Sequence, residues 1–317
     1  MLSSSFILRF NMISTGSVGR KILKFSISLR SNMSTSITEI ERKFPCTPDI
    51  LQYCKSNAVS SREISMSDVY FDNQSFGLTT RDMWLRQRNN TLELKSPMSS
   101  TVINNSDNEE TLVGLDFYKE STDLLEIANI LHSTADVTVK FNENTTNMDE
   151  VISSLSAAGV VPFGTFITKR TRYSLRVKLP PAAEWMQASP PIPAQQTHVN
   201  LFVDIDIVKY ILPDQSKDSD SSIQGTGTIQ EHSEALAYEI GEIELATPSG
   251  TTTTPTGSTT TTAVDKEYNN AIMSHIFQVI GIHPAPVRGK VLEYIARFRP
   301  QHYEALRQSG QLASKGL

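Results

Sequence analysis

The chain is short of cysteine. Cys46 and Cys54 are its only two in 317 residues, and neither sits in a CxxC or zinc-ligand pattern. That argues against a disulfide framework and for a reducing compartment. No run reaches eighteen apolar residues, so no transmembrane helix and no membrane partner are expected. The six histidines show no HxH or HExxH spacing, so the common zinc-hydrolase patterns are missing. Gly225-Thr226-Gly227-Thr228 lacks the Gly-Lys-Ser/Thr that would complete a phosphate loop and reads as linker. Acid is missing from the start of the chain. Residues 1–38 hold Arg9, Arg20, Lys21, Lys24 and Arg30, and all 34 Asp and Glu come later. The acidic body left behind argues against nucleic acid as a partner.

The acid-free start is Ser-rich and basic, with Phe6, Leu8, Phe10, Leu23 and Phe25 interspersed, which is the composition of a transit peptide. Residues 1–33 are therefore expected to direct the chain to the mitochondrion. Met33 offers a second start that would leave a cytoplasmic form.

What the chain has instead is charge laid out with a period of two. In residues 37–45, Glu39, Glu41 and Lys43 share one face, with Ile40, Arg42 and Phe44 on the other. Residues 199–209 repeat this with Asp204 and Asp206 against Val203, Ile205 and Ile207, and residues 236–246 with Glu242 and Glu244. Three more segments supply bases: 82–88 with Arg86 and Arg88, 91–96 with Lys95 beside Glu93, and 163–177 with Arg170, Arg172 and Arg176. Asn89-Asn90 between the first two is a hairpin turn. Clustered carboxylates repel unless a cation lies between them, and hard oxygens suit Mg²⁺, with Mn²⁺ the next choice. Closing such strands into a barrel brings acids and bases face to face inside. A triphosphate bridged by metal to the acidic wall would satisfy both.

Helices are expected at about 48–57, after Thr47-Pro48-Asp49, at 122–132, 147–158, 265–280 and 287–307, the last with a kink at Pro300. Polar segments near 97–112, 180–197, 213–234 and 247–263 read as insertions, and 309–317 as a tail.

Glu39-Ile40-Glu41-Arg42-Lys43 resembles the ExExK signature of the CYTH, or triphosphate tunnel metalloenzyme, superfamily. Tyr70-Phe71-Asp72, Trp84-Leu85-Arg86-Gln87-Arg88, Glu93-Leu94-Lys95, Tyr118-Lys119-Glu120, Phe166 to Arg170, Val203 to Asp206 and Ile240 to Glu244 follow in that family's order. Gly289 to Pro300 is similar to the C-terminal segment of its eukaryotic thiamine-triphosphatases. The resemblance spans about 37–308. It implies an α+β, mainly β fold: a closed antiparallel eight-stranded barrel flanked by helices. It further implies Glu39, Glu41 and Lys43 as catalytic, and Glu39, Glu41, Asp204, Glu242 and Glu244 as metal ligands. Lys43, Trp84, Arg86, Arg88, Lys95, Glu120, Arg170 and Lys290 would bind substrate. The activity implied is divalent-metal-dependent hydrolysis of thiamine triphosphate by a monomer. Broader tripolyphosphate or nucleoside triphosphate hydrolysis and a non-catalytic polyphosphate-binding module are the competing readings.

Overall fold

The structure, a computed structural model, describes residues 37–97, 116–141, 145, 147–180, 197–212, 237–245, 263–283 and 285–317, with backbone only at 37–39, 116–117 and 263–268. The expected transit peptide and, apart from flanking positions, the four expected insertions lie outside these residues.

Eight strands carry the fold: β1 (Ile37–Phe44), β2 (Ser60–Asn73), β3 (Trp84–Arg88), β4 (Thr91–Pro97), β5 (Asp116–Ser121), β6 (Val160–Lys178), β7 (His198–Ile211) and β8 (Ala237–Leu245). All pairings are antiparallel, in the order β1-β5-β4-β3-β2-β6-β7-β8, and β1 pairs with β8 as well as β5. The sheet is far less even than the expected barrel. β2, β6, β7 and β8 form a deep curl of long ladders, in which β6 pairs with β2 over Val160–Ser174 and with β7 over Thr165–Lys178. The other side is short. β1 completes it only by dividing itself, with Ile37–Glu41 on β5 and Glu41–Phe44 on β8. The architecture is best described as a long curled half-sheet with a short-stranded complement.

Helices α1 (Pro48–Asn57), α2 (Leu124–Ala135), α3 (Met148–Ala157) and α4 (Ala263–Ile280) flank the sheet. Local chemistry sets their starts. The Thr47 hydroxyl accepts from the Ile50 amide and Pro48 needs no partner for a missing N–H. Asp123 and Asn147 cap α2 and α3 in the same way. The expected single helix over 287–307 is two, α5 (Lys290–Phe298) and α6 (Pro300–Gln308). The break falls at Arg299 (φ −133°, ψ 65°), because proline disfavours helical backbone in the residue before it. The expected tail also folds: α7 (Gln311–Ser314) follows the left-handed Gly310. The strand expected from residue 82 begins at Trp84, since Thr79–Arg81 form a 3₁₀ turn ending in left-handed Asp82 (φ 60°).

Two of the three apolar clusters lie outside the curl. Ile40, Phe44, Val203, Ile205, Ile243 and Leu245 meet α1 and α4 through Ile50, Cys54, Ile276 and Phe277. Leu85, Leu92 and Leu94 meet α2 and α3 through Ile127, Leu131, Val151 and Leu155. The third packs Tyr70, Phe163, Phe166 and Tyr210 against Val291, Leu292, Tyr294 and Leu306 of the C-terminal helices. Each buried apolar side chain contributes about 1.5–3 kcal/mol. The outward faces of the strands thus hold the fold, and their inward faces are left for charge.

Candidate active site

Inside the curl is a cavity of about 540 Å³. Seven of the eight substrate-binding residues expected from the sequence, Lys43, Arg86, Arg88, Lys95, Glu120, Arg170 and Lys290, line it with charged groups, and the eighth, Trp84, lines it with its ring. The strand period explains the convergence. Trp84, Arg86 and Arg88 lie on one face of β3, and Arg86 sits directly opposite Glu93 of β4 and Tyr70 of β2. Lys290 arrives from the first turn of α5, behind Gly289, which packs so closely on Lys43 that a Cβ there would come 2.9 Å from Lys43 Cε. The segment 285–292, apart from Arg288, completes this part of the lining.

Every one of these cations is matched by a carboxylate. Arg86 donates to Glu93 at 2.7 Å, to Glu120 at 2.8 Å and to the Tyr70 hydroxyl at 3.3 Å. Arg88 grips Asp68 through two bonds of 2.7 and 3.1 Å, and Lys290 donates to the same carboxylate at 2.7 Å. Arg170 forks onto Asp206 at 2.6 and 2.8 Å and also reaches Asp204 and Glu242. Lys95 pairs with Glu41, and Lys43 bridges Glu41 and Glu242, the latter at 3.2 Å.

The acids expected to hold metal are distributed along β1, β7 and β8. Glu41 faces Glu244 across the β1–β8 ladder, and Lys43 faces Glu242. Asp204 faces both Arg172 and Glu242. Glu39 is placed in β1 opposite Tyr118, but its side chain lies outside the described atoms. Among the described residues no three acid, histidine or cysteine side chains converge as a ready ligand set. What does converge is a pair: the Lys43 ammonium lies on both the Glu41 and the Glu242 carboxyl groups. Two hard carboxyl groups around one cation position is a donor set that fits a divalent ion.

Electrostatics mark the same residues. Burial by itself would raise the Glu242 carboxyl. Lys43, the Glu41 hydrogen bond, Arg170 and Lys95 together hold it well below the usual carboxylate range. Asp68 is likewise raised by burial and lowered further by Lys290, Arg88 and Arg86, with a net fall. Asp204 shifts upward, because burial and the Glu242 charge outweigh Arg172 and Arg170.

Several site residues were not singled out by sequence reasoning. Arg172, which shares the face of Arg170 but was not among the expected binding residues, lies inside and binds Asp204 and Glu244, while Arg176 is exposed. Asp68 is wholly buried between Arg88 and Lys290. Its two-residue offset from Tyr70 was the available signal. Asp82, Tyr118 and Lys315 form a further corner of the cavity; the two-residue period of the expected strand 82–88 puts Asp82 on the Arg86 face, and no strand period points to Lys315. Arg42 faces outward as expected but is buried, its guanidinium 5.0 Å from the Phe277 ring centre.

A curled antiparallel sheet with apolar outer faces and an interior cavity of paired acids and bases defines the class of this fold. Residues 38–250 match the family described as CYTH domain, and the chain belongs to that family. It is 23% identical over 278 residues to the thiamine-triphosphatase of Homo sapiens, covering 86% of this chain and 91% of that protein. Among solved structures, a Pyrococcus horikoshii protein overlaps 82% of this chain and 99% of its own at 12% identity and TM-score 0.41. The Hippeastrum adenylyl cyclase candidate HpAC1, described as having a dominant triphosphatase activity, overlaps 83% and 95% at 15% identity and TM-score 0.35. Overlaps at that level carry nothing about chemistry.

Proposed function

We propose that the chain is a divalent-metal-dependent triphosphatase that hydrolyses thiamine triphosphate to thiamine diphosphate and phosphate. The observation that carries this reading is the internal pairing of the cavity. Arg86, Arg88, Lys95, Arg170 and Lys290 are neutralised by the protein's own carboxylates. A buried cation keeps such a partner or exchanges it for another anion. A triphosphate is the exchange partner with enough charge to engage several of them at once. Arginine forks suit its paired oxygens, and the lysines act as point charges.

Taking the bases in this way releases Glu41 and Glu242 from Lys43 and Lys95. Those two acids, with Glu39, Asp204 and Glu244 along the same wall, would hold the metal. A bound divalent ion, Mg²⁺ first and Mn²⁺ second, supplies Lewis-acid neutralisation of the phosphoryl oxygens. The chain's own groups do the rest. Arg86, Arg88 and Arg170 fix the phosphates, and Lys290 adds charge from the positive end of α5. Water attacks the terminal phosphorus, the bond to the bridging oxygen breaks, and the diphosphate leaves with that oxygen's electron pair.

The 23% identity to the human thiamine-triphosphatase supports the thiamine ester as substrate. Inorganic tripolyphosphate and nucleoside triphosphates compete for the assignment, because the phosphate-facing residues are indifferent to what the phosphates carry. Phosphate release with Mg²⁺ from thiamine triphosphate, ATP and tripolyphosphate decides it. The expected order of kcat/KM places thiamine triphosphate first. Preference for tripolyphosphate would replace the substrate, and binding without release from any of the three would make the chain a binding module.

A further inference from the structure

Glu41, Glu120 and Glu242 share the cavity lining with the bases they neutralise, Lys43, Lys95 and Arg86. Asp68 is placed differently. It pairs with two lining bases, Arg88 and Lys290, yet it lies outside the lining and has no exposed surface. β2 holds it opposite Arg88 of β3 on one side and Phe166 of β6 on the other. Met66 and Tyr70, the next residues on its own face of β2, are buried as well.

The two bases have donors to spare. A guanidinium carries five N–H donors and an ammonium three. Arg88 commits Nε and one N–H of Nη2 to Asp68, at 2.7 and 3.1 Å. Its Nη1 lies 3.9 Å from Glu93, beyond hydrogen-bond length. Lys290 commits one N–H to Asp68 at 2.7 Å and one to the Thr168 hydroxyl at 3.3 Å. Neither base therefore has to release Asp68 in order to take a phosphate oxygen. Release would also be costly. A carboxylate stripped of both cations in a place with no exposed surface is left without water or counter-ion. Glu41, Glu120 and Glu242 escape that penalty, because they stand in the cavity, where metal or water reaches them.

We propose that Asp68 is a positioning residue and a permanent counter-charge of the phosphate site. It keeps hold of Arg88 and Lys290 while phosphate is bound. Its two-point grip fixes the plane of the guanidinium. Its charge lowers what the two bases present to the ligand from two positive charges to one. The inference rests on the triphosphatase reading and deepens it: the charge held back keeps affinity low enough for the phosphate product to leave.

The test is a charge series on the full chain: wild type, Asp68→Asn, Lys290→Met and the double variant, with circular dichroism to verify each fold. Tripolyphosphate binding is measured by calorimetry without divalent metal, so that no turnover is needed. Asp68→Asn should bind at least about tenfold tighter than the wild type, and Lys290→Met at least about tenfold weaker. The double variant restores a single positive charge and should return to within about threefold of the wild type. A double variant as weak as Lys290→Met, or an Asp68→Asn that binds no tighter than the wild type, overturns the proposal. Should Asp68→Asn not fold, the comparison of Lys290→Met with the double variant decides by itself. In turnover with Mg²⁺, Asp68→Asn should lower KM and kcat together, because product leaves slowly. A raised KM at unchanged kcat would mark a residue that only shapes the pocket, and also overturns the proposal. If the wild type hydrolyses no triphosphate, the triphosphatase reading fails by itself, and the binding series still decides the role of Asp68.

Discussion

The Lys290 ammonium donates to Asp68 Oδ2 at 2.7 Å across 222 residues of sequence. Arg88 holds the same carboxylate, which has no exposed surface. One acid thereby fastens β2, β3 and the first turn of α5 around the cavity. Asp68→Asn would leave two buried cations facing a neutral amide, and breaking a buried pair in this way costs about 3–5 kcal/mol. Urea unfolding should show that loss. Added tripolyphosphate should raise the variant's Tm more than the wild type's, because phosphate supplies the missing charge. Equal shifts would mean the two cations do not face the ligand.

Glu41 and Glu242 are expected to act as a unit. Glu41→Gln or Glu242→Gln should weaken Mg²⁺ by about a hundredfold or more, since changes to outer-shell partners alone cost 10- to 100-fold. Glu39→Gln should behave alike. Mg²⁺ titrations of phosphate release measure this, with circular dichroism to verify the fold. Full activity at ordinary Mg²⁺ in any of the three would contradict the metal-wall assignment.

Neighbours of opposite facing provide controls. Arg170 points inward onto Asp206, while Lys169 is exposed. Arg170→Ala should raise KM for triphosphate at least about tenfold, a loss of roughly 1.4 kcal/mol of binding. Lys169→Ala should change it less than about twofold. Arg42 is a different control, because its place over Phe277 makes it part of the packing. Arg42→Ala should lower the melting temperature and leave KM near that of the wild type.

Gly241 lies opposite Phe44 in the β1–β8 pairing, and a Cβ there would fall 2.1 Å from the Phe44 ring. Gly241→Ala should cost about 1–3 kcal/mol through forced displacement of that ring. Adding Phe44→Leu to Gly241→Ala should recover part of the loss, whereas Phe44→Leu by itself should destabilise. Additive losses in the double variant would show that the ring is not the obstacle.

His302 of α6 gives the fold an acid-side dependence. Burial, aided by the Arg299 charge, pushes its imidazole down to about 4 from 6.5. The Thr79 hydroxyl donates to Asp72 at 2.6 Å, so His302 Nε2 must donate to Thr79, at 2.6 Å. Between these pH values the unfolded chain carries the proton and the folded chain does not. The contribution is complete above pH 6.5 and fades as pH falls towards 4, by about 2 kcal/mol between pH 7 and 5. Burial raises Asp72, which works in the opposite sense at lower pH. Urea unfolding of wild type beside His302→Gln isolates the histidine, and parallel pH profiles would refute it.

Much of the interior was legible because a strand's side-chain period is fixed. Glu41, Lys43, Arg86, Arg88, Lys95, Arg170 and Glu242 could be assigned to one surface from spacing. Their pairing could not, since Lys290 and Asp68 are brought together by the path of the whole chain. Nor did alternation reveal how unevenly the sheet closes, which depends on the lengths of the ladders β1 makes with β5 and β8. Lys315 was unreadable for another reason: its position follows from the turns at Arg299 and Gly310, which redirect the chain after α5.

The inverted arrangement of the sheet, apolar outside and charged within, bears on where this chain can lengthen. Core and site residues alternate along the same strands, so one residue inserted inside a strand would exchange the two faces from that point on. Between elements an extra residue has no such effect, and closing a longer loop costs only slowly more. The polar stretches 98–115, 181–196, 213–236 and 246–262 each fall, in sequence, between one described element and the next. The alternation that builds the tunnel thereby confines growth of the chain to its joints.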